Sequence, residues 1–123
     1  MINAQDVIDW QDKIKAAGQD FKDKSEKVKF MEKLLAEEYD EFVDAVRKND
    51  EVEKLDACVD MMFVIIGYMY AKGWDIEGAW KELTRSNNSK FYPNDRLTID
   101  DNGKIVKTEY FIHPKFKPYL KGE

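Results

Sequence analysis

Residues 61–71, MMFVIIGYMYA, contain no charged side chain and follow directly on Asp60. A helix built from them is apolar nearly all round, and such a helix is covered on most sides by other elements. The run is far too short to span a bilayer, which takes about 20 residues. It therefore predicts a central helix with other helices around it. It also predicts a second subunit, since one small four-helix chain has too little surface to enclose it. Asp56 and Asp60 enter the same segment four residues apart, on the face of Phe63 and Gly67.

The rest of the chain supplies the surrounding helices. Asn3 is a cap for a helix from Ala4, with Val7, Trp10 and Ile14 on one side and Gly18 at its end. A second helix is expected over about 26–47, capped by Ser25, with Met31, Leu35, Phe42 and Val46 as its stripe. Asn49-Asp50 makes a turn and a cap for the third helix, about 51–72, which Gly73 terminates. Asp75 caps a fourth, short helix carrying Ile76, Ala79, Trp80 and Leu83, and Trp10 and Trp80 are expected in the core. Helical periodicity gives way at Arg85-Ser86-Asn87-Asn88-Ser89-Lys90, which reads as a loop. LTIDDNGKIV then predicts a short hairpin around Asp100–Gly103, and Pro114 and Pro118 leave the tail as a packed arm. The fold class is all-α: one domain over 1–123, with a helical core of about 4–86 and a C-terminal loop and arm of 87–123.

On a wheel of about 100° per residue with Met31 at zero, Glu38 falls near 340°, inside the apolar stripe of the second helix. Glu41 lands near 280° by the same rough step, beside Leu34 and Ala45, and Glu37 near 240°. Glu38 and Glu41 are three apart, so they converge on one edge of the buried face. Asp60 is the one charged residue between Ala57 and Ala71, and no Lys or Arg lies between Lys54 and Lys72. A bare carboxylate in such surroundings costs several kcal/mol unless it is paired, protonated or bound to a cation. Four acids on two adjacent helices fit a hard divalent cation. Mg²⁺ is the natural choice because it takes oxygen ligands and is shared with substrate phosphates.

With 25 acidic and 20 basic residues, net charge −5, the chain offers no basic surface for nucleic acid or an anionic membrane. Cys58 is the single cysteine and His113 the single histidine, which excludes an intramolecular disulfide and a Cys/His zinc site. Reduced thiol chemistry and the lack of a leader pattern point to a cytoplasmic setting.

Glu37-Glu38-x-x-Glu41 followed by Asp60 resembles the EExxE…ExxD signature of the all-helical nucleoside triphosphate pyrophosphohydrolase superfamily. That superfamily includes MazG, dimeric dUTPase, dCTP pyrophosphatase and phosphoribosyl-ATP pyrophosphohydrolase. The chain departs at Ala57, where the family has glutamate, and Asp56 stands in from one residue earlier. Ser86-Asn87-Asn88-Ser89-Lys90 resembles the SNxSK segment of a MazG-like subgroup, and NGKIVK over 102–107 its hairpin. With the AKGWD turn, the resemblance covers about 30–118.

The resemblance implies a four-helix MazG-like core assembled as a homodimer or homotetramer. It also implies Mg²⁺-dependent cleavage, with Mn²⁺ as a substitute, between the α- and β-phosphates of a nucleoside triphosphate. On this reading Glu38, Glu41, Asp56 and Asp60 are the metal ligands, and Glu37 and Glu38 are catalytic, Glu37 by polarising the attacking water directly or by holding it through a second metal. Arg85, Asn87 and Lys90 meet the substrate. Trp74, Phe91 and Tyr92 are further stacking candidates, and nothing selects a base. Two other readings stand beside it: an inactive scaffold that keeps the fold and binds metal or nucleotide, and a plain helical interaction module, which leaves Asp60 unexplained.

Overall fold

The computed structural model describes residues 1–121. They form two compact units, residues 1–74 and residues 75–121.

The first unit holds three helices: α1 (Ala4–Ala16), α2 (Lys24–Lys48) and α3 (Glu51–Lys72). Asn3 caps α1 by accepting from the Gln5 N–H at 2.9 Å. Helix α2 is capped by Asp23 and not by Ser25, so it starts two residues earlier than the sequence predicts. The Asp23 carboxylate accepts from Glu26 N at 2.9 Å, and the Glu26 carboxylate accepts from Lys22 N at 2.8 Å. This reciprocal pairing satisfies two backbone donors at once, which Ser25 could not do with Glu26 as its neighbour. Asn49 turns into the left-handed region at φ 53° and closes α2, and Asp50 then caps α3 through Glu53 N.

That two-residue connection folds α3 back along α2, while α1 packs on α3. Val7, Met31, Ala45, Ala57 and Val64 are the buried hydrophobic residues. Gly67 sits where the three helices meet: a Cβ there would lie 2.9 Å from both Gln11 Nε2 and Met31 Cε. Gly73 ends α3 at φ 76°, a conformation that favours glycine.

Helix α3 is not enclosed on all sides. Val52, Leu55, Val59 and Met62 are 75, 66, 47 and 40% exposed. Among the described residues, α2 and α1 are the helices that pack on α3 within this unit, and they leave these four side chains open. Trp10 is 51% exposed and Trp80 71%, so neither is a core residue.

The second unit opens with α4 (Ile76–Asn88), capped by Asp75 through Gly78 N at 3.0 Å. Helix α4 runs through Asn88 and continues as a 3₁₀ turn over Ser89–Phe91, where the sequence reads as a loop. Ser86 and Ser89, 2% and 0% exposed, are why: the Ser89 hydroxyl donates to Ser86 O and accepts from Ile112 N at 2.7 Å. Strands β1 (Thr98–Ile99) and β2 (Ile105–Val106) form an antiparallel hairpin, with Thr98 opposite Val106 and Ile99 opposite Ile105. Asp100 organises its turn by accepting from both Asn102 N and Lys104 N at 2.9 Å. A 3₁₀ turn at Lys117–Tyr119 follows, and Asp75 N donates to Tyr119 O at 2.9 Å. Among the described residues, no helix is long and apolar enough to cross a membrane.

Candidate metal centre

Glu38 and Glu41 stand one turn apart on α2, and Asp60 on α3 faces them. One carboxylate oxygen from each lies within 4.8 Å of the other two. Ala45 and Ala57, both buried, flank the cluster on the two helices. Their small side chains let the helices approach closely beside it. Glu38 and Asp60 are half-buried and Glu41 is exposed.

Electrostatics in this group are unrelieved. Among the described residues, none of the three acids takes part in a salt bridge. Burial pushes the Glu38 carboxyl up to about 7, assisted by a hydrogen bond shared with Glu41 and by the charges of Glu41, Asp60 and Asp56. Asp60 is raised as well, by burial first and then by Asp56 and Glu41. The Glu38 Oε2 atom is buried without a hydrogen-bond partner. Three converging carboxylates, with one orphaned buried oxygen and no basic partner, fit a hard divalent cation, which would relieve burial and repulsion together.

Asp56 is exposed and lies outside that group of three, yet its charge reaches Glu38 and Asp60. Glu37 is exposed on α2 and also lies outside it. A depression of about 470 Å³ adjoins the cluster, lined by Glu41, Asp44, Lys48, Asp50, Glu53 and Asp56 together with the two alanines. A larger groove of about 710 Å³ runs past Trp10 and Phe63 and contains none of the three clustered acids. Of the three clustered acids, Glu41 lines the smaller depression.

In the second unit, Arg85 is held by Glu82, whose carboxylate accepts from Arg85 Nε at 3.0 Å and Nη2 at 2.9 Å. Glu82 also accepts from Lys115 N at 2.7 Å. The Arg85 hydrogen bond, followed by that from Lys115, holds the Glu82 carboxyl below its usual range. Glu82 is a buried residue that sequence reasoning missed. Its three-residue spacing from Arg85 was the available signal. Asn87 and Lys90 pair with each other, Lys90 Nζ donating to Asn87 Oδ1 at 3.0 Å.

The family model described as phosphoribosyl-ATP pyrophosphohydrolase matches residues 7–87, about two thirds of the chain. That span contains the three clustered acids along with Glu37, Asp56, Arg85 and Asn87; Lys90 lies beyond it. No curated protein and no solved structure matches the chain.

Proposed function

Because the chain belongs to the phosphoribosyl-ATP pyrophosphohydrolase family, whose members are pyrophosphohydrolases of nucleotide-like substrates, we propose that it hydrolyses a nucleoside triphosphate between the α- and β-phosphates. The products are the monophosphate and pyrophosphate. The observation that carries this reading is the convergence of Glu38, Glu41 and Asp60, with Glu38 Oε2 lacking any protein partner. The family is generally dependent on a divalent metal, and Mg²⁺ is the ion proposed here.

Glu38, Glu41 and Asp60 would hold that ion, with Asp56 as a further oxygen ligand from the depression beside them. When bound, Mg²⁺ supplies charge to offset the phosphoryl oxygens and a template that orients the triphosphate. The protein groups do the remaining work. Glu37, exposed to solvent, is assigned to orient and deprotonate the attacking water. Arg85, Asn87 and Lys90 are assigned to the phosphates. Arg85 has two donor atoms committed to Glu82, and its planar fork is thereby fixed in direction.

Turnover should be measured on ribo- and deoxyribonucleoside triphosphates and on phosphoribosyl-ATP, each with Mg²⁺ and with EDTA. The reading predicts magnesium-dependent turnover that falls roughly a hundredfold or more in Glu38→Gln and in Asp60→Asn, the scale of losing a group that stabilises transition-state charge. Turnover that persists in EDTA, or survives both substitutions, contradicts it. One observation favours a second reading, a metal-binding scaffold without activity: Ala57 is buried where the family signature carries a fourth acid. Mg²⁺ binding to the wild type with no turnover of any substrate would select it.

We also propose a homodimer. Val52, Leu55, Val59, Met62, Ile66 and Met69 repeat at alternating three- and four-residue steps along α3. That spacing forms a seam suited to a copy of itself.

A further inference from the structure

Phe111 lies beyond the span matched by the family model, and two lysines of the second unit approach its ring. Lys107 Nζ is 4.8 Å from its ring centroid and Lys90 Nζ 6.0 Å. The two ammonium groups are therefore no farther apart than the sum of those distances. Neither has a salt-bridge carboxylate among the described residues. The backbone that carries the ring is held by hydrogen bonds. Phe111 N donates to Thr108 O at 3.1 Å, Thr108 Oγ1 donates to Tyr92 O at 3.1 Å, and Ile112 N donates to the fully buried Ser89 hydroxyl. His113 packs edge-on against the same ring, centroid to centroid 4.7 Å.

Two like charges held beside one neutral ring repel each other. The ring's negative face attracts each of them, but it leaves their net charge of +2 in place. A multiply charged anion would relieve that repulsion. Lys90 is further oriented by its bond to Asn87, so one of the two cations is already fixed on its own side. Arg85 differs from both lysines in being ion-paired, through Nη2 to Glu82 at 2.9 Å.

From this we propose that Lys107 and Lys90, both close to the Phe111 ring, form a binding site for an oligophosphate anion. Its occupant is the polyphosphate chain of the substrate or the pyrophosphate released from it. This rests on the pyrophosphohydrolase reading for the source of the anion, but not for the site itself. Lys107 thereby becomes a substrate-binding residue, and Phe111 a positioning residue that holds two cations at one place.

Inorganic pyrophosphate and tripolyphosphate should be titrated calorimetrically into the metal-free full chain and into Lys107→Gln, Phe111→Leu and Lys104→Gln. Lys107→Gln should weaken binding roughly tenfold, the order expected for one charge-assisted contact. Phe111→Leu keeps the apolar bulk, removes the ring face and should weaken it several-fold. Lys104→Gln removes an equal charge from the hairpin turn and should leave affinity within about twofold, since exposed charges away from the contact are screened. Equal affinity in wild type and Lys107→Gln, or an equal loss in Lys104→Gln, overturns the site. A raised KM for nucleotide in Lys107→Gln assigns the anion to the substrate's own chain. A weakened pyrophosphate affinity with unchanged KM overturns that assignment. If no nucleotide is turned over but Lys107→Gln still weakens pyrophosphate, the anion site stands and the hydrolase reading falls.

Discussion

At neutral pH a carboxyl group poised at about 7 is half protonated, so Glu38 in the metal-free protein is divided between an acid and a crowded carboxylate. Its ordinary value is 4.5, and the folded value lies above it. The unfolded chain therefore releases this proton first as pH rises. Stability from Glu38 is complete below about 4.5 and is lost as pH climbs towards 7. Asp60, raised in the same direction, adds to the slope. In EDTA the melting temperature should fall between pH 5 and pH 7.5, and Glu38→Gln should flatten that fall and melt higher than wild type at pH 7.5. Mg²⁺ should raise the wild-type melting temperature more at pH 7.5 than at pH 5, where protons compete for the same oxygens. A wild-type curve in EDTA that is flat or rising over this window would remove the electrostatic basis of the centre. Glu38 and Asp60 were legible because each is an acid in an apolar helical pattern. Glu82 was not, since an acid beside an arginine on a polar helix looks like an ordinary surface pair.

Among the helices, the ends test the local argument most cleanly. Asp23→Ala should destabilise the first unit by about 1 kcal/mol, the usual cost of losing an N-cap. Ser25→Ala should change stability by less than about 0.5 kcal/mol, as for a surface position free of such a role. The reverse order in denaturant melts would restore the cap to Ser25. Asn3, Asp50, Asp75 and Gly73 were readable because each stands alone at the edge of a periodic run. Asp23 and Ser25 are both good caps two residues apart, and only the reciprocal bond of Glu26 to Lys22 N decides between them. The end of α4 was hidden for a different reason. Ser86 and Ser89 are polar in composition but buried in fact, because the backbone N–H of Ile112 reaches the Ser89 hydroxyl from 23 residues away. Ser89→Ala should cost roughly 1–3 kcal/mol by leaving that N–H unsatisfied. A loss within experimental error in thermal melts would mean that the 111–115 segment is held by other contacts.

For the molecule as a whole, the apolar circumference of α3 predicts an enclosed central helix, and the structure departs from that: α1 and α2 pack on α3 but leave Val52, Leu55 and Val59 exposed. Val59 illustrates the difference: it belongs to an apolar run, yet it is 47% exposed in the single chain. The missing surface is what the proposed homodimer would provide. Sedimentation at micromolar concentration should give twice the 14.5 kDa chain mass. Val59→Glu, placed on the open face, should give a folded chain of single mass, because a buried unpaired carboxylate disfavours association. A monomeric wild type contradicts the dimer. Periodicity could indicate the seam but not its occupant, since a pattern within one chain holds no information about the surface opposite it.

The measurement that bears most directly on the central claim is the identity of the products. Purified protein, Mg²⁺ and a nucleoside triphosphate should be incubated and resolved by anion-exchange chromatography. Equal amounts of monophosphate and pyrophosphate, formed by wild type and reduced roughly a hundredfold or more with Asp60→Asn, are what the proposed function predicts. Diphosphate and orthophosphate as the only products would contradict it.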